Sequence, residues 1–128
     1  MQLSIHTGDP LQSSTDLLVV AVTTDTLFKN PIVQAIDKAL DGNLKSAAKE
    51  QNFKGNAKEN LTLHTLGKMK SKRVAIVGVG DAKKLRNTNL LELGAQTTRL
   101  ARRVGAKTVL LVSPPQAQEV ARAHHLIA

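Results

Sequence analysis

The sequence contains no cysteine, tryptophan or tyrosine, and its aromatic side chains are Phe28 and Phe53 alone. Without cysteine there can be no disulfide, no thiolate metal site and no cysteine nucleophile, and such a chain suits a reducing compartment, here expected to be the cytoplasm. With two aromatics the core must be aliphatic, and base stacking of the kind single-strand nucleic-acid binders use has almost nothing to work with. No apolar stretch approaches the roughly 20 residues that span a bilayer. The start, Met1–His6, lacks the basic-then-apolar pattern of a secretory signal. A membrane partner is therefore not expected.

The 128 residues, 41% hydrophobic and 22% charged, fit one globular domain over 1–128 with a single core. The formal net charge of +8 is unevenly placed. Residues 1–64 hold 6 Lys/Arg and 7 Asp/Glu, whereas residues 65–128 hold 12 and 3, a balance of +9. That asymmetry marks either a solvated basic face or a surface for nucleic acid or an acidic partner.

Three continuous apolar runs, Leu17–Val22, Val74–Val77 and Val109–Val112, read as strands buried on both faces, the habit of α/β proteins. Gln2–His6 and Leu61–Thr65 alternate instead, which predicts strands with one wetter face nearer a sheet edge. Between them, Asn30 is a good N-cap with Pro31 at the first helical position, followed by the stripe Ile32, Val33, Ile36, Ala39 and Leu40. Asp41-Gly42 should break that helix and Leu44–Gln51 resume it. A longer helix is expected over about Asn89–Val104. Its inward face is Leu90, Leu93, Gly94, Thr97, Ala101 and Val104, its outward face Glu92, Gln96, Arg99 and Arg103, and Gly105 stops it. Ser113-Pro114-Pro115 precedes a last helix, Gln116–Ile127, which runs to the chain end and suggests a domain cut from something longer. The order β, β, α, β, β, α, β, α implies a three-layer α/β/α sandwich around a mixed, largely parallel central sheet.

Candidate chemistry is sparse. Gly78-Val79-Gly80 follows a buried strand as a dinucleotide fingerprint would, but the third glycine's place is taken by Lys83, and the helix does not begin directly after the turn. The bland reading is a tight strand-end turn; the weaker functional one is a phosphate or nucleotide loop at Gly78, Val79 and Gly80. His124 and His125 are adjacent and so point about 100° apart on a helix, unlike a metal pair at three or four residues. His6 and His64 have no carboxylate at a matching position. Ser13-Ser14-Thr15 has no histidine partner and more naturally satisfies turn hydrogen bonds. No catalytic residue, metal site or cofactor is assigned to the chain. Candidate nucleic-acid contacts are Lys68, Lys70, Lys72 and Arg73 before one strand, Lys83, Lys84 and Arg86 after it, and Arg99, Arg102, Arg103 and Lys107 on or after the long helix. A turn before a strand and a loop after it lie at opposite ends of a sheet, so one continuous patch is not guaranteed.

The ordered set Leu17–Val22, Ile36–Gly42, Phe53-Lys54-Gly55-Asn56, Leu63–Gly67 and Lys72–Gly80 resembles the N-terminal domain of the cytosolic leucyl aminopeptidases. The resemblance covers nearly the whole chain. It implies a macro-domain-like sandwich that is non-catalytic, with a structural, assembly and regulatory role in a metallopeptidase. It places catalysis, with two divalent metals (zinc or manganese), in a separate C-terminal domain absent from this chain. It implies that catalytic domain and the neighbouring subunits of a homo-hexamer as partners. DNA, through the basic second half, and ADP-ribose, near Gly78–Gly80, stand as alternative ligands.

Overall fold

The computed structural model describes residues 2–4, 10–12, 14–84 and 87–112. Its elements in chain order are β1 (Gln2–Ser4), β2 (Leu17–Val22), α1 (Pro31–Ala39), α2 (Asn43–Glu50), β3 (Asn60–His64), β4 (Arg73–Gly78), α3 (Asn87–Val104) and β5 (Thr108–Val112), with short 3₁₀ turns at Pro10–Gln12 and Ala82–Lys84. The expected last helix, with His124 and His125, lies outside the described residues, as do His6, Ser13 and Arg86.

The five strands form one sheet in the order β1-β5-β2-β4-β3. β1, β5, β2 and β4 run parallel, and β3 pairs antiparallel with β4. The two strands whose sequences alternate, β1 and β3, are the two edges of the described sheet. The three continuous apolar runs fill the middle, where both faces must be covered.

Alternation along the strands separates two cores. From β2, Leu18, Val20 and Val22 join Val33, Ile36 and Leu40 of the α1 side and Leu44 and Ala48 of α2. Leu17, Val19 and Ala21 join Leu93, Leu100 and Ala101 of α3 on the other face. All six β2 residues are fully buried. At about 25 cal/mol per Å² of apolar surface removed from water, this central strand is a principal source of stability.

Local signals explain the helices. The Asn30 side chain accepts from the amides of Ile32 (2.8 Å) and Val33 (3.4 Å), with Pro31 opening α1. Asp41 and Gly42 both take left-handed backbone angles (φ 58° and 81°), so the chain turns there. The Gly42 amide bonds back to Asp37 O at 2.8 Å. Asp37 then serves the next helix: its carboxylate accepts from the Lys45 amide at 2.9 Å in the first turn of α2. At the other end of the fold, Gly105 (φ 70°) stops α3, with the Ala106 amide returning to Ala101 O at 2.8 Å. The inward face of α3 includes Leu100, which the sequence reading omitted, beside Leu93, Thr97 and Ala101.

Candidate functional site

In open α/β sheets ligands bind beyond the carboxyl ends of the strands, where neighbouring connections leave for opposite faces. Here that place lies between β2 and β4. β2 leads to α1 on one face, whereas β4 leads through Gly78-Val79-Gly80 to α3 on the other.

The chain fills this crevice itself. The Gly80 amide donates to Gly55 O (3.0 Å), the Val79 amide to Val22 O (2.9 Å) and the Gly78 amide to Glu59 O (2.8 Å). In return the Thr24 amide donates to Gly80 O at 3.0 Å. A Cβ on Gly78 would lie 2.2 Å from Asn56 O and 2.5 Å from Gly55 C, so the 55–56 backbone sits where any side chain would be. Glycine is required here by close approach of protein to protein. The phosphate-loop expectation for Gly78, Val79 and Gly80 thus meets three amides already engaged with carbonyls, and an anion would have to displace them. Beside this seal is a cleft of about 500 Å³ lined by Thr24, Asp25, Leu27, Phe28, Lys29, Phe53, Lys54 and Asn56, which gathers both aromatics of the chain.

The basic residues separate into three groups. At the amino end of β4, Lys68 pairs with Asp41 at 2.5 Å and Lys72 with Asp16 at 3.6 Å. Arg73 Nη1 donates to Val104 O at 3.3 Å, at the negative end of α3. Lys70 is exposed. At the carboxyl end, Lys83 and Lys84 are exposed on the turn after Asp81. On α3, Arg99, Arg102 and Arg103 are exposed, and Arg99 pairs with Glu92 at 3.0 Å. The first and third groups adjoin, since Lys72, Arg73 and Lys107 line one hollow at the end of α3, whereas Lys83 and Lys84 follow the carboxyl end of β4.

Asp16 joins the amino ends of the strands. Its carboxylate accepts from the amides of Lys107 (2.8 Å) and Thr108 (3.3 Å) of the β5 entry, while its own amide donates to Thr108 Oγ1 at 2.9 Å. Those two amides, chiefly that of Lys107, hold its pKa below the usual carboxylate value, with Lys72 adding to the effect and partial desolvation opposing it. The loop polar groups are likewise structural. Thr15 Oγ1 lies 3.1 Å from Ser71 Oγ, and His64 Nδ1 accepts from the Leu66 amide at 3.0 Å.

A second concavity, of about 540 Å³, lies between β3 and the outer side of α3, lined by Lys58, Asn60, Glu92, Gln96, Arg99, Leu100 and Arg103. It brings Arg99 and Arg103 together with Lys58, which the sequence reading did not single out. The spacing of Gln96, Arg99 and Arg103 on one helix face was visible in the sequence. The nearness of Lys58 depends on β3 pairing beside β4, which no local signal encodes. Among the described residues no three His, Asp or Glu side chains gather so that they could hold a metal ion. The described residues do not fit a two-metal centre, and no metal chemistry is assigned to them. No described helix is long and apolar enough to cross a membrane.

A family model described as the N-terminal domain of the cytosol aminopeptidase family matches residues 19–128. Among curated relatives, a probable cytosol aminopeptidase of Thermosynechococcus vestitus is 32% identical over 117 residues, covering 90% of this chain and 24% of that protein. One from Azotobacter vinelandii is 31% identical over 111 residues, 87% and 22% respectively. One from Alkaliphilus metalliredigens is 27% identical over 96 residues, 75% and 19%. Among solved structures, a mutant of tomato leucine aminopeptidase superposes with a TM-score of 0.78 at 24% identity, covering 88% of this chain and 23% of that one. The chain spans about a quarter or less of the length of these proteins.

Proposed function

The chain belongs to the cytosol aminopeptidase family, as its N-terminal domain, and from that premise we propose that it is the non-catalytic front domain of a metal-dependent leucyl aminopeptidase-like exopeptidase. Its role is structural and regulatory. It packs against a catalytic domain that carries the two divalent metals, zinc or manganese, and against neighbouring subunits of a cytoplasmic homo-hexamer. It also shapes access to the active sites.

The observation that carries this reading is the extent of the match: residues 19–128 align with the family's N-terminal domain, and with about a quarter or less of the full-length relatives. Peptide hydrolysis on metal ions requires several carboxylate or imidazole ligands in one place. The described residues gather no such set. The expected result is no hydrolysis of leucine p-nitroanilide by the pure 128-residue chain with zinc or manganese added. Turnover that co-purifies with this chain through successive columns refutes the proposal.

The nucleotide and DNA alternatives draw on weaker support. ADP-ribose near Gly78–Gly80 would compete with three engaged amides. Duplex DNA would meet cations of which Lys68, Lys72 and Arg99 already have carboxylate partners. Calorimetry with ADP-ribose and anisotropy with duplex DNA across a salt series test them.

A further inference from the structure

The cleft between β3 and α3 holds cations without counter-ions among the described residues. Arg99 is matched by Glu92, but Lys58 and Arg103 form no ion pair among the described residues. Lys58 has a left-handed backbone (φ 70°), an uncommon state for a residue with a Cβ. The adjacent carboxylate is turned into the loop, where Glu59 Oε1 accepts from the amides of Lys54 (3.2 Å) and Asn56 (2.9 Å).

The same cleft borders an open sheet edge. The bonds Thr65 N to Lys72 O and Gly78 N to Glu59 O place Leu61 and Leu63 in the hydrogen-bonded pairs with β4. The main-chain groups of Asn60, Thr62 and His64 therefore point away from β4, and no described strand lies beyond them. The side chains of those residues share the α3 face of the sheet by register, and the Thr62 hydroxyl is buried there without a hydrogen-bond partner among the described residues.

We propose that this edge and cleft bind an extended acidic segment of a partner protein. The segment adds to β3 through the outward main-chain groups of Asn60, Thr62 and His64, and its alternate side chains place carboxylates at Lys58 and Arg103. A second copy of this chain fits poorly, because the chain carries +8 and the edge would set cation against cation. The proposal does not rest on the aminopeptidase reading.

The test titrates the ¹⁵N-labelled chain with a capped octapeptide alternating Glu and Thr, and in parallel with the same peptide carrying Lys for Glu, inorganic phosphate, and duplex DNA. The acidic peptide is expected to shift the Asn60, Thr62 and His64 amides and slow their exchange, while the Lys peptide does neither. Lys58→Glu with Arg103→Glu, its far-UV signal unchanged, is expected to weaken binding at least about tenfold. No shift at those three amides at about 1 mM peptide, a weak-binding ceiling, overturns the proposal. So does phosphate or DNA binding that the double variant abolishes with no exchange protection along β3, which would make the cleft a general anion surface.

Discussion

Two concave regions of this molecule meet opposite fates. The crevice between the carboxyl ends of β2 and β4 is where an α/β sheet ordinarily receives a ligand, yet the 53–57 segment closes it, accepting the Gly80 amide at Gly55 O and leaving Gly78 no room for a Cβ. The cleft between β3 and α3 has no special standing in the topology, yet it keeps cations, amides and a strand edge that nothing described satisfies. A glycine-rich turn at a favoured position is therefore not a site when its donors are already engaged, and unsatisfied groups at an ordinary position are the better guide.

The comparison is tested most severely at the seal. Gly78→Ala should destabilise the fold by about 3 kcal/mol, because backbone atoms of Gly55 and Asn56 rather than a flexible side chain must move. Urea unfolding measures it, and a change near zero would mean that the crevice is not closed as described. On β3, beside the open cleft, the sign reverses. Thr62→Val replaces a buried hydroxyl that has no partner among the described residues with a methyl of the same shape, and should raise stability by about 1 kcal/mol. A loss of similar size would show that the hydroxyl has a partner after all.

A smaller effect, confined to acid, belongs to Asp16. Its pKa is depressed in the fold by the Lys107 and Thr108 amides. The stability it contributes is thus present above the ordinary carboxylate pKa and is lost as pH falls through the lower folded value. Unfolding midpoints measured from neutral pH downward should fall less steeply in Asp16→Asn than in the parent chain. Parallel curves would remove Asp16 from this role. The smallest effect is expected for Lys58→Glu with Arg103→Glu, within about 0.5 kcal/mol of the parent by thermal or urea unfolding. A large loss would mean that these cations hold the fold together rather than face outward.

Much of the fold was readable from the chain because its signals are local. The runs Leu17–Val22, Val74–Val77 and Val109–Val112 became the three middle strands. The alternating segments became the edges of the described sheet, the second with its bounds shifted to Asn60–His64. Asn30-Pro31, Asp41-Gly42 and Gly105 punctuate the helices through capping and left-handed turns that depend on a few neighbouring residues. The candidate site was less readable because it depends on distance in sequence. Nothing in Gly78-Val79-Gly80 announces that Gly55 and Asn56 will lie on top of it. Nothing in Lys58 announces that Arg103 will be its neighbour. Leu100 was missed for a related reason: α3 covers the sheet with a face wider than the stripe first drawn, which only the packed sheet beneath it sets.

The central position of β2 has a consequence for how the molecule is born. Its partners are remote: Leu17 aligns with Arg73 on one side and with Val109 on the other. During synthesis the uncharged stretch Leu17–Val22 therefore emerges long before either neighbour exists. Apolar β-prone hexamers of this kind are where nascent chains stick to one another. Asp16, immediately before it, is the nearest charge to discourage such association. The second flank of β2 waits on β5, so a ribosome stalled before residue 108 would present a chain whose most apolar segment still lacks one of its two neighbours.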